Sequence, residues 1–306
     1  MTTSGTASPT SRGTSDADAV PDVSVVIPTR NGSRTLGVQL DALARQRTQR
    51  RYEVIVADNG STDGTRELVE SYAVEHPWLR WVDASARTGS NVARNVGTDA
   101  ARAEFVLLCD SDDEVTEDWL ELLASGLERA SAVGGRLERE KLNAEYSARY
   151  GPPGGYDGIT KQLGFLPRPI GANAGYRKSA WEEVGGFNED YVRGGTETEF
   201  YWRLQLAGHT LLDVPEAVVH YRLRPDLKTS VKQMYIWGRQ SPMLYRDFRA
   251  HGMEYDVRES LRRCKSIVWL ALHSYRGAFE RLHLLRTVGY QLGRIVGSVK
   301  YRVVFP

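Results

Sequence analysis

Short apolar runs alternate with amphipathic stretches along the first third of the chain. Val23-Ser-Val-Val-Ile-Pro28 is a β-branched run closed by a proline and followed by turn chemistry at Thr29-Arg-Asn-Gly32. Leu36, Leu40 and Leu43 then recur at helical spacing within residues 34–47. Glu53-Val-Ile-Val-Ala-Asp58 reads as a second strand, residues 59–64 as loop, and Thr65 as the cap of a helix to Glu75 with acids in its early turns. Trp78 to Val82 is a third strand, residues 90–102 a helix, and Glu104 to Cys109 a fourth strand. Strands alternating with helices of about a dozen residues predict βαβ units and a mainly parallel sheet. Further along, the pattern predicts a helix over 116–130, a strand at Ala132–Leu137 and a mobile Gly/Pro-rich loop over 150–169. Helices over 178–185 and 196–207 and strands at His209–Val214 and Ala217–Tyr221 follow, and beyond Lys228 the chain reads as helical. It holds neither an internal repeat nor a Walker-type or Gly-x-Gly-x-x-Gly phosphate loop.

With 306 residues and 41% hydrophobic content, the chain can bury a sizeable core. Residues 1–20 carry no apolar segment and read as a disordered leader rather than a signal peptide. No run approaches the roughly 18 apolar residues of a spanning helix. Two cysteines, Cys109 and Cys264, make no disulfide framework, which fits a reducing compartment and a cytoplasmic location. The net charge of +1 hides a split: from Arg222 onward 17 of the 40 basic residues meet 6 of the 39 acidic ones, a net of +11. The remainder holds 23 basic and 33 acidic residues, a net of −10. The expected division is therefore a leader over 1–20, an acidic body over 21–225 and a basic helical extension over 226–306.

Acids close two of the predicted parallel strands: Asp58 after the second, and Asp110, Asp112 and Asp113 after the fourth. Strand ends in an open α/β sheet face a common crevice. Three carboxylates within four residues repel one another and need a cation, an Arg or a shared proton; a hard divalent ion is a common solution. A solvated acidic turn is the plainer alternative. An ionised Asp58 only accepts hydrogen bonds. It suits uracil or thymine N3–H, or guanine N1–H, unless it merely caps the turn at Asn59.

The ordered set of motifs resembles family 2 glycosyltransferases over about residues 22–224. It comprises Val23-Ser-Val-Val-Ile-Pro-Thr-Arg-Asn, Glu53-Val-Ile-Val-Ala-Asp-Asn-Gly-Ser-Thr-Asp-Gly-Thr65, Gly89-Ser-Asn-Val-Ala-Arg-Asn-Val-Gly97 and Leu108-Cys-Asp-Ser-Asp-Asp113. It continues through Pro169-Ile-Gly-Ala-Asn-Ala-Gly-Tyr-Arg-Lys178, Val184-Gly-Gly-Phe-Asn-Glu189, Gly195-Thr-Glu-Thr-Glu-Phe-Tyr-Trp-Arg203 and Val214-Pro-Glu-Ala-Val-Val-His220. The resemblance implies the GT-A nucleotide-diphospho-sugar transferase fold, an α/β class with a mainly parallel central sheet, and makes 21–225 the catalytic domain, with a nucleotide-binding half at 21–115 and an acceptor-binding half at 116–225. The implied activity is inverting, metal-dependent transfer from a nucleotide sugar, a UDP-sugar in the first instance, to a hydroxyl acceptor in glycan, polysaccharide or glycolipid synthesis. It places Pro28, Thr29 and Arg30 around the nucleoside, Asp58 on the uracil, and Arg94 and Asn95 near the nucleotide. Asp110 and Asp112 correspond to the Asp-x-Asp motif, with Ser111 between them in the donor-binding set. Asp112 is the expected ligand to Mg2+ or Mn2+, Asp113 the alternative register, and His220 matches a histidine that binds the metal in some relatives. Relatives commonly read Glu-Asp where this chain has Thr196-Glu197, so Glu197 is the expected base and Glu199 the fallback. For Arg94, His220, Glu197 and Glu199 an ordinary structural or surface role is the alternative. A nucleotidyltransferase and a non-catalytic nucleotide-sugar-binding protein are the rival functions.

Aromatic and aliphatic residues interleave with Arg and Lys over 256–306. That composition suits an interfacial helix on anionic lipid at the inner face of a membrane, or helices packed across the catalytic body. No nucleic-acid-binding module is recognised, and oligomeric state is open.

Overall fold

Strands β1 (Val23–Thr29), β2 (Tyr52–Asp58), β3 (Leu79–Asp83) and β4 (Phe105–Cys109) pair in parallel, as the apolar runs predict. The structure, a computed structural model, describes residues 20–145, 150, 155–156, 158–255 and 257–305. The expected leader therefore lies outside the described residues, apart from Val20. Helices α1 (Leu36–Ala44), α2 (Thr65–Glu75) and α3 (Ser90–Ala100) make the crossovers. Alternation along β1 sends Val25 and Ile27 to one face, with Leu36, Leu40 and Trp119, and Val26 to the other, with Ile55 and Phe200. Both faces are covered, which is why these strands read as near-continuous apolar runs.

The second half comprises β5 (Glu114–Val115), α4 (Trp119–Leu127), β6 (Ala132–Glu138), β7 (Gly155–Tyr156), β8 (Thr160–Lys161) and β9 (Pro167–Arg168). Then come β10 (Asn173–Arg177), α5 (Lys178–Glu183), α6 (Thr196–Leu206) and β11 (Leu211–His220). The main sheet runs β3-β2-β1-β4-β10-β6-β11-β5, with β7 on β6, while β8 and β9 form a separate hairpin. Three features differ from the sequence reading. The stretch over 150–169 is not loop throughout, since it carries β7, β8 and β9. The two strands expected over 209–221 are one, β11, whose pairing with β6 shifts register between Val214 and Val218 and so absorbs Pro215. A strand that the apolar pattern did not predict, β10, runs antiparallel between β4 and β6.

Asn173 explains why β10 sits there. The Trp119 indole N–H donates to its Oδ1 at 2.8 Å, and its Nδ2 donates to the Arg136 and Ala217 carbonyls at 2.9 and 2.8 Å. One fully buried amide thus ties α4, β6 and β11 to β10. Buried Glu53 does similar work at the opposite end of β2. It accepts from the Ser24 hydroxyl and the Arg102 backbone N–H, each at 2.7 Å, and from Arg80 Nε at 3.1 Å.

The C-terminal segment folds as α7 (Leu227–Phe248), a 3-10 turn (Arg249–His251), α8 (Val257–His273) and α9 (Ala278–Tyr301). Helices α7 and α9 meet backbone to backbone through Gly238, Gly289, Gly293 and Gly297. A Cβ at Gly238 would lie 2.8 Å from the Tyr290 carbonyl carbon, and one at Gly293 2.8 Å from the Arg239 nitrogen. The pair is fixed to the body by a buried cluster in which Met243, Leu244, Phe248, Val303 and Phe305 surround Tyr191 and Trp202. The tail is thus seated on α6. Among the described residues no helix is long and apolar enough to cross a membrane.

Candidate active site

Parallel β1, β2 and β4 deliver Thr29, Asp58 and Asp110 to one edge of the sheet. A cavity of about 390 Å3 opens there, lined by Pro28, Thr29, Arg30, Arg94, Asp110 and Arg224 among others. Asn59, Ser90 and Arg193 complete much of its wall. Four guanidinium groups around one carboxylate suit a ligand with several negative charges, which planar Arg donors grip through paired hydrogen bonds.

The acidic turn behaves as its crowding demands. Oxygen atoms of Asp110, Asp112 and Asp113 lie within 4.8 Å of one another. Burial, then Asp112, pushes the Asp110 carboxyl up to about 6, with Glu197 adding to the rise. Burial, then Asp112 and Asp110, raises Asp113 well above the usual carboxylate range. Asp113 Oδ1 accepts the Arg222 backbone N–H at 2.7 Å, while its buried Oδ2 has no hydrogen-bond partner among the described residues. Asp112 accepts from Arg224 at 2.9 Å. Three converging hard oxygens, one of them orphaned, with strong mutual repulsion, fit a divalent cation such as Mg2+ or Mn2+. Buried Gln39 steadies the turn, donating to the Asp110 carbonyl at 3.3 Å and accepting the Val115 N–H at 3.0 Å. Ser111 lies over Gly32, where a Cβ would meet its hydroxyl at 3.5 Å.

Gly194 and Gly195 adopt left-handed φ values of +78° and +67° and turn the chain sharply into α6. Glu197 consequently falls in the first turn. Its Oε2 accepts from the Thr196 hydroxyl at 2.5 Å, with Arg168 at 3.6 Å and Arg94 at 4.0 Å. Burial pushes this carboxyl up, but Arg168 and then Arg94 outweigh it and hold the group below its ordinary value. Arg94 is itself buried and donates to Asn91 Oδ1 and Thr196 Oγ1, both at 3.1 Å. Gly171 packs directly against the pair: a Cβ there would sit 2.9 Å from the Arg94 guanidinium and 3.4 Å from the Glu197 stem.

The remaining sequence-predicted residues are placed elsewhere. Glu199, the fallback base, is 4% exposed and binds Arg203 through both oxygens, at 2.6 and 2.9 Å. It is an internal clamp on a guanidinium that also holds the Gly186 carbonyl. Asn95 faces the 187–189 turn, pairing with the Phe187 backbone through both its amide atoms and with Glu189. His220 does not join the aspartates. Its Nδ1 is 2.6 Å from Glu138, and it lines a different cavity with Glu114 and Lys141, because the β11 pleat turns it away. Asp58 shares the sheet edge but opens on a neighbouring cavity of about 360 Å3, beside Trp81 and Arg66. It accepts from the Ser61 N–H at 2.8 Å and from the Trp81 indole at 3.2 Å, so the turn-capping reading describes part of its role.

Sequence reasoning overlooked Arg168, Arg193, Arg222, Arg224 and Asn59. Asn59 carries the loop to Gly89, donating to the Ala84 and Arg87 carbonyls at 2.6 and 2.8 Å and accepting the Gly89 N–H at 2.8 Å. The available signal was Arg222-x-Arg224, two cations directly after the last strand of a sheet whose acids lie on the same edge.

The profile for Glycosyl transferase family 2 matches residues 24–185. Glycosyltransferase AglE of Haloferax volcanii is 28% identical over 227 residues, covering 71% of this chain and 72% of the relative. Succinoglycan biosynthesis protein ExoO of Rhizobium meliloti is 35% identical over 127 residues, covering 41% of this chain and 34% of the relative. Among solved structures, mannosyltransferase PcManGT from Pyrobaculum calidifontis, in complex with GDP-Man and Mn2+, aligns with a TM-score of 0.60. It is 18% identical, and the alignment covers 92% of this chain and 88% of that one. S. aureus TarS 1–349 in complex with UDP aligns at 0.53, with 18% identity and 93% of each chain covered. At these identities the likeness to the solved structures is one of fold.

Proposed function

Because this chain belongs to glycosyl transferase family 2, we propose that it moves a sugar from a nucleotide-diphosphate donor, a UDP-sugar first among them, to a hydroxyl of a glycan or lipid-linked acceptor, with inversion. It is a glycosyltransferase of GT-A fold. The observation that carries the finer reading is that Asp110 and Arg94 line one crevice, with the Asp112 and Asp113 oxygens clustered on the first and Glu197 4.0 Å from the second. Asp110, Asp112 and Asp113 would hold a divalent ion, which when bound supplies Lewis-acid stabilisation of charge growing on the departing diphosphate.

The chain's own residues supply the rest. Arg30, Arg94, Arg193 and Arg224 attract and orient the diphosphate. Asp58, an acceptor with lone pairs to spare beside the second cavity, suits a base that offers an N–H. Glu197 is the base that takes the acceptor hydroxyl's proton. Its lowered pKa keeps it ionised, and Thr196, Arg94 and Arg168 fix its carboxylate. The extra methylene relative to Asp is accommodated at the helix start, over Gly171. Commitment of both Glu199 oxygens to Arg203 favours Glu197 over Glu199.

The test combines binding with turnover. A panel of UDP-, dTDP- and GDP-sugars should raise the melting temperature only with Mn2+, the UDP series most, since ligand bound to the native state alone stabilises it. Glu197→Gln should keep that shift while transfer falls by about 100-fold or more. A Mn2+-independent shift overturns the metal assignment, transfer unaffected by Glu197→Gln overturns the base, and release of pyrophosphate in place of UDP makes the protein a nucleotidyltransferase.

A further inference from the structure

We propose that the outer faces of α8 and α9 form a docking surface for a bilayer rich in anionic lipid, on which the helices lie flat. Exposed large apolar side chains concentrate in this segment. On α8, Ile267 and Leu270 are turned inward, while Leu261 (58% exposed), Val268 (60%), Trp269 (53%) and Leu272 (67%) are uncovered. On α9, the glycine face is taken by α7, and Leu285, Leu292, Ile295 and Val299 stand exposed on another side. From Leu285 to Val299 that strip runs about 21 Å along the helix. Beyond its end, Val299, Val303, Val304 and Phe305 line a shallow cavity of about 370 Å3 whose polar margin is Arg302. An uncovered apolar surface of this extent marks a contact with something other than water.

Charge identifies the occupant. Arg262, Lys265, Arg276, Arg281, Lys300 and Arg302 are exposed beside these apolar residues. Residues 257–305 hold ten Lys and Arg against two acids, Glu259 and Glu280, and Glu280 is half-buried. A second copy pairing through the same face would set these ten cations against their copies, with only two acids per chain to answer them. Anionic headgroups answer them directly, while the apolar strip enters the boundary of the acyl chains. The helices are too short in apolar length to span, so the expected mode is lying at the interface.

The experiment uses the full chain and no sugar nucleotide, so its outcome is independent of the glycosyl-transfer reading. Flotation is measured with vesicles of phosphatidylcholine alone and of phosphatidylcholine mixed with phosphatidylglycerol, together with light-scattering mass. The wild type should float with the mixed vesicles, at least tenfold more than with phosphatidylcholine, and be released by high salt. Leu292→Asp combined with Ile295→Asp should abolish flotation, and Arg262→Gln with Lys265→Gln should weaken it severalfold, both with unchanged circular dichroism. Equal flotation with both vesicles, no flotation, or variants that float like the wild type overturn the proposal. So does a dimer that the Leu292→Asp, Ile295→Asp variant converts to monomer without any vesicle binding.

Discussion

The seam between α7 and α9 gives the sharpest quantitative prediction. Replacing Gly293 by Ala would put a methyl carbon 2.8 Å from the Arg239 nitrogen and nearer still to the Tyr235 carbonyl oxygen. Real Cβ atoms essentially never approach within 3.0 Å. The obstruction is backbone on a neighbouring helix, which no side-chain rotation relieves, so the axes must separate. Gly238 and Gly297 share that inter-axial spacing, and their own close approaches to Tyr290 and Arg239 loosen with it. Overpacking of this kind costs about 1–3 kcal/mol, and the shared seam places it near the upper end. Removing a helical glycine returns about 1 kcal/mol. The net expectation is about 2 kcal/mol of destabilisation, a fall in Tm of roughly 4–8 °C. Gly289→Ala is the matched control. Its Cβ would meet Val231 Cγ1 at 3.0 Å and the Val231 carbonyl oxygen at 3.2 Å, contacts that a shift of a few tenths of an ångström relieves, so stability should fall by clearly less. Thermal melts followed by near-ultraviolet circular dichroism of the two variants decide the matter. A Gly293→Ala protein as stable as Gly289→Ala would refute backbone contact between these helices.

Three further outcomes follow from buried polar groups elsewhere in the fold and at the site. Asn173→Leu strands the Trp119 indole N–H and two carbonyls inside the sheet; at about 1–3 kcal/mol for each such group, urea unfolding should show a loss of several kcal/mol or no folded protein. Burial acts on Glu53 to raise its pKa, but hydrogen bonds from Arg102 and Ser24 and the charge of Arg80 leave it lowered. Its contribution is therefore full above the ordinary value of 4.5 and lost as pH falls below it; Glu53→Gln should cost stability at neutral pH and progressively less in acid, and a gap constant with pH would contradict the assignment. Arg168→Gln removes the stronger of the two cations lowering Glu197, so the acidic limb of the kcat/KM profile should move to higher pH with the alkaline side unchanged. An unmoved limb would show that Glu197 is not the group titrating.

Strands β1, β2 and β4 were legible because parallel strands covered on both faces are apolar nearly throughout, and Val25–Ile27, Val54–Ala57 and Phe105–Cys109 are unbroken apolar runs. Strand β10 obeys the opposite demand. At Gly175 a Cβ would meet the Val106 carbonyl oxygen and Val133 Cγ2 at 3.1 Å, and Asn173 is there for its amide, so Asn-Ala-Gly-Tyr-Arg carries no β-branched signal. The site divided along similar lines. The aspartates announce themselves because three acids after a buried strand are costly without a purpose. Arg168 and Arg224 are single cations among many, made meaningful only when folding brings them to Glu197 and Asp112. His220 showed the converse hazard, a motif position that the pleat of β11 turns toward Glu138.

One consequence concerns where this gene can be cut. Helix α6 carries Glu197 in its first turn and Trp202 further along, and the wall around Trp202 is built by Met243, Leu244, Phe248 and Phe305. A shortened protein ending near residue 225 would expose that indole and unseat the helix bearing the carboxylate. Chimeras between relatives should therefore swap α6 together with α7 and α9 as one cassette, with the junction placed upstream of Gly194.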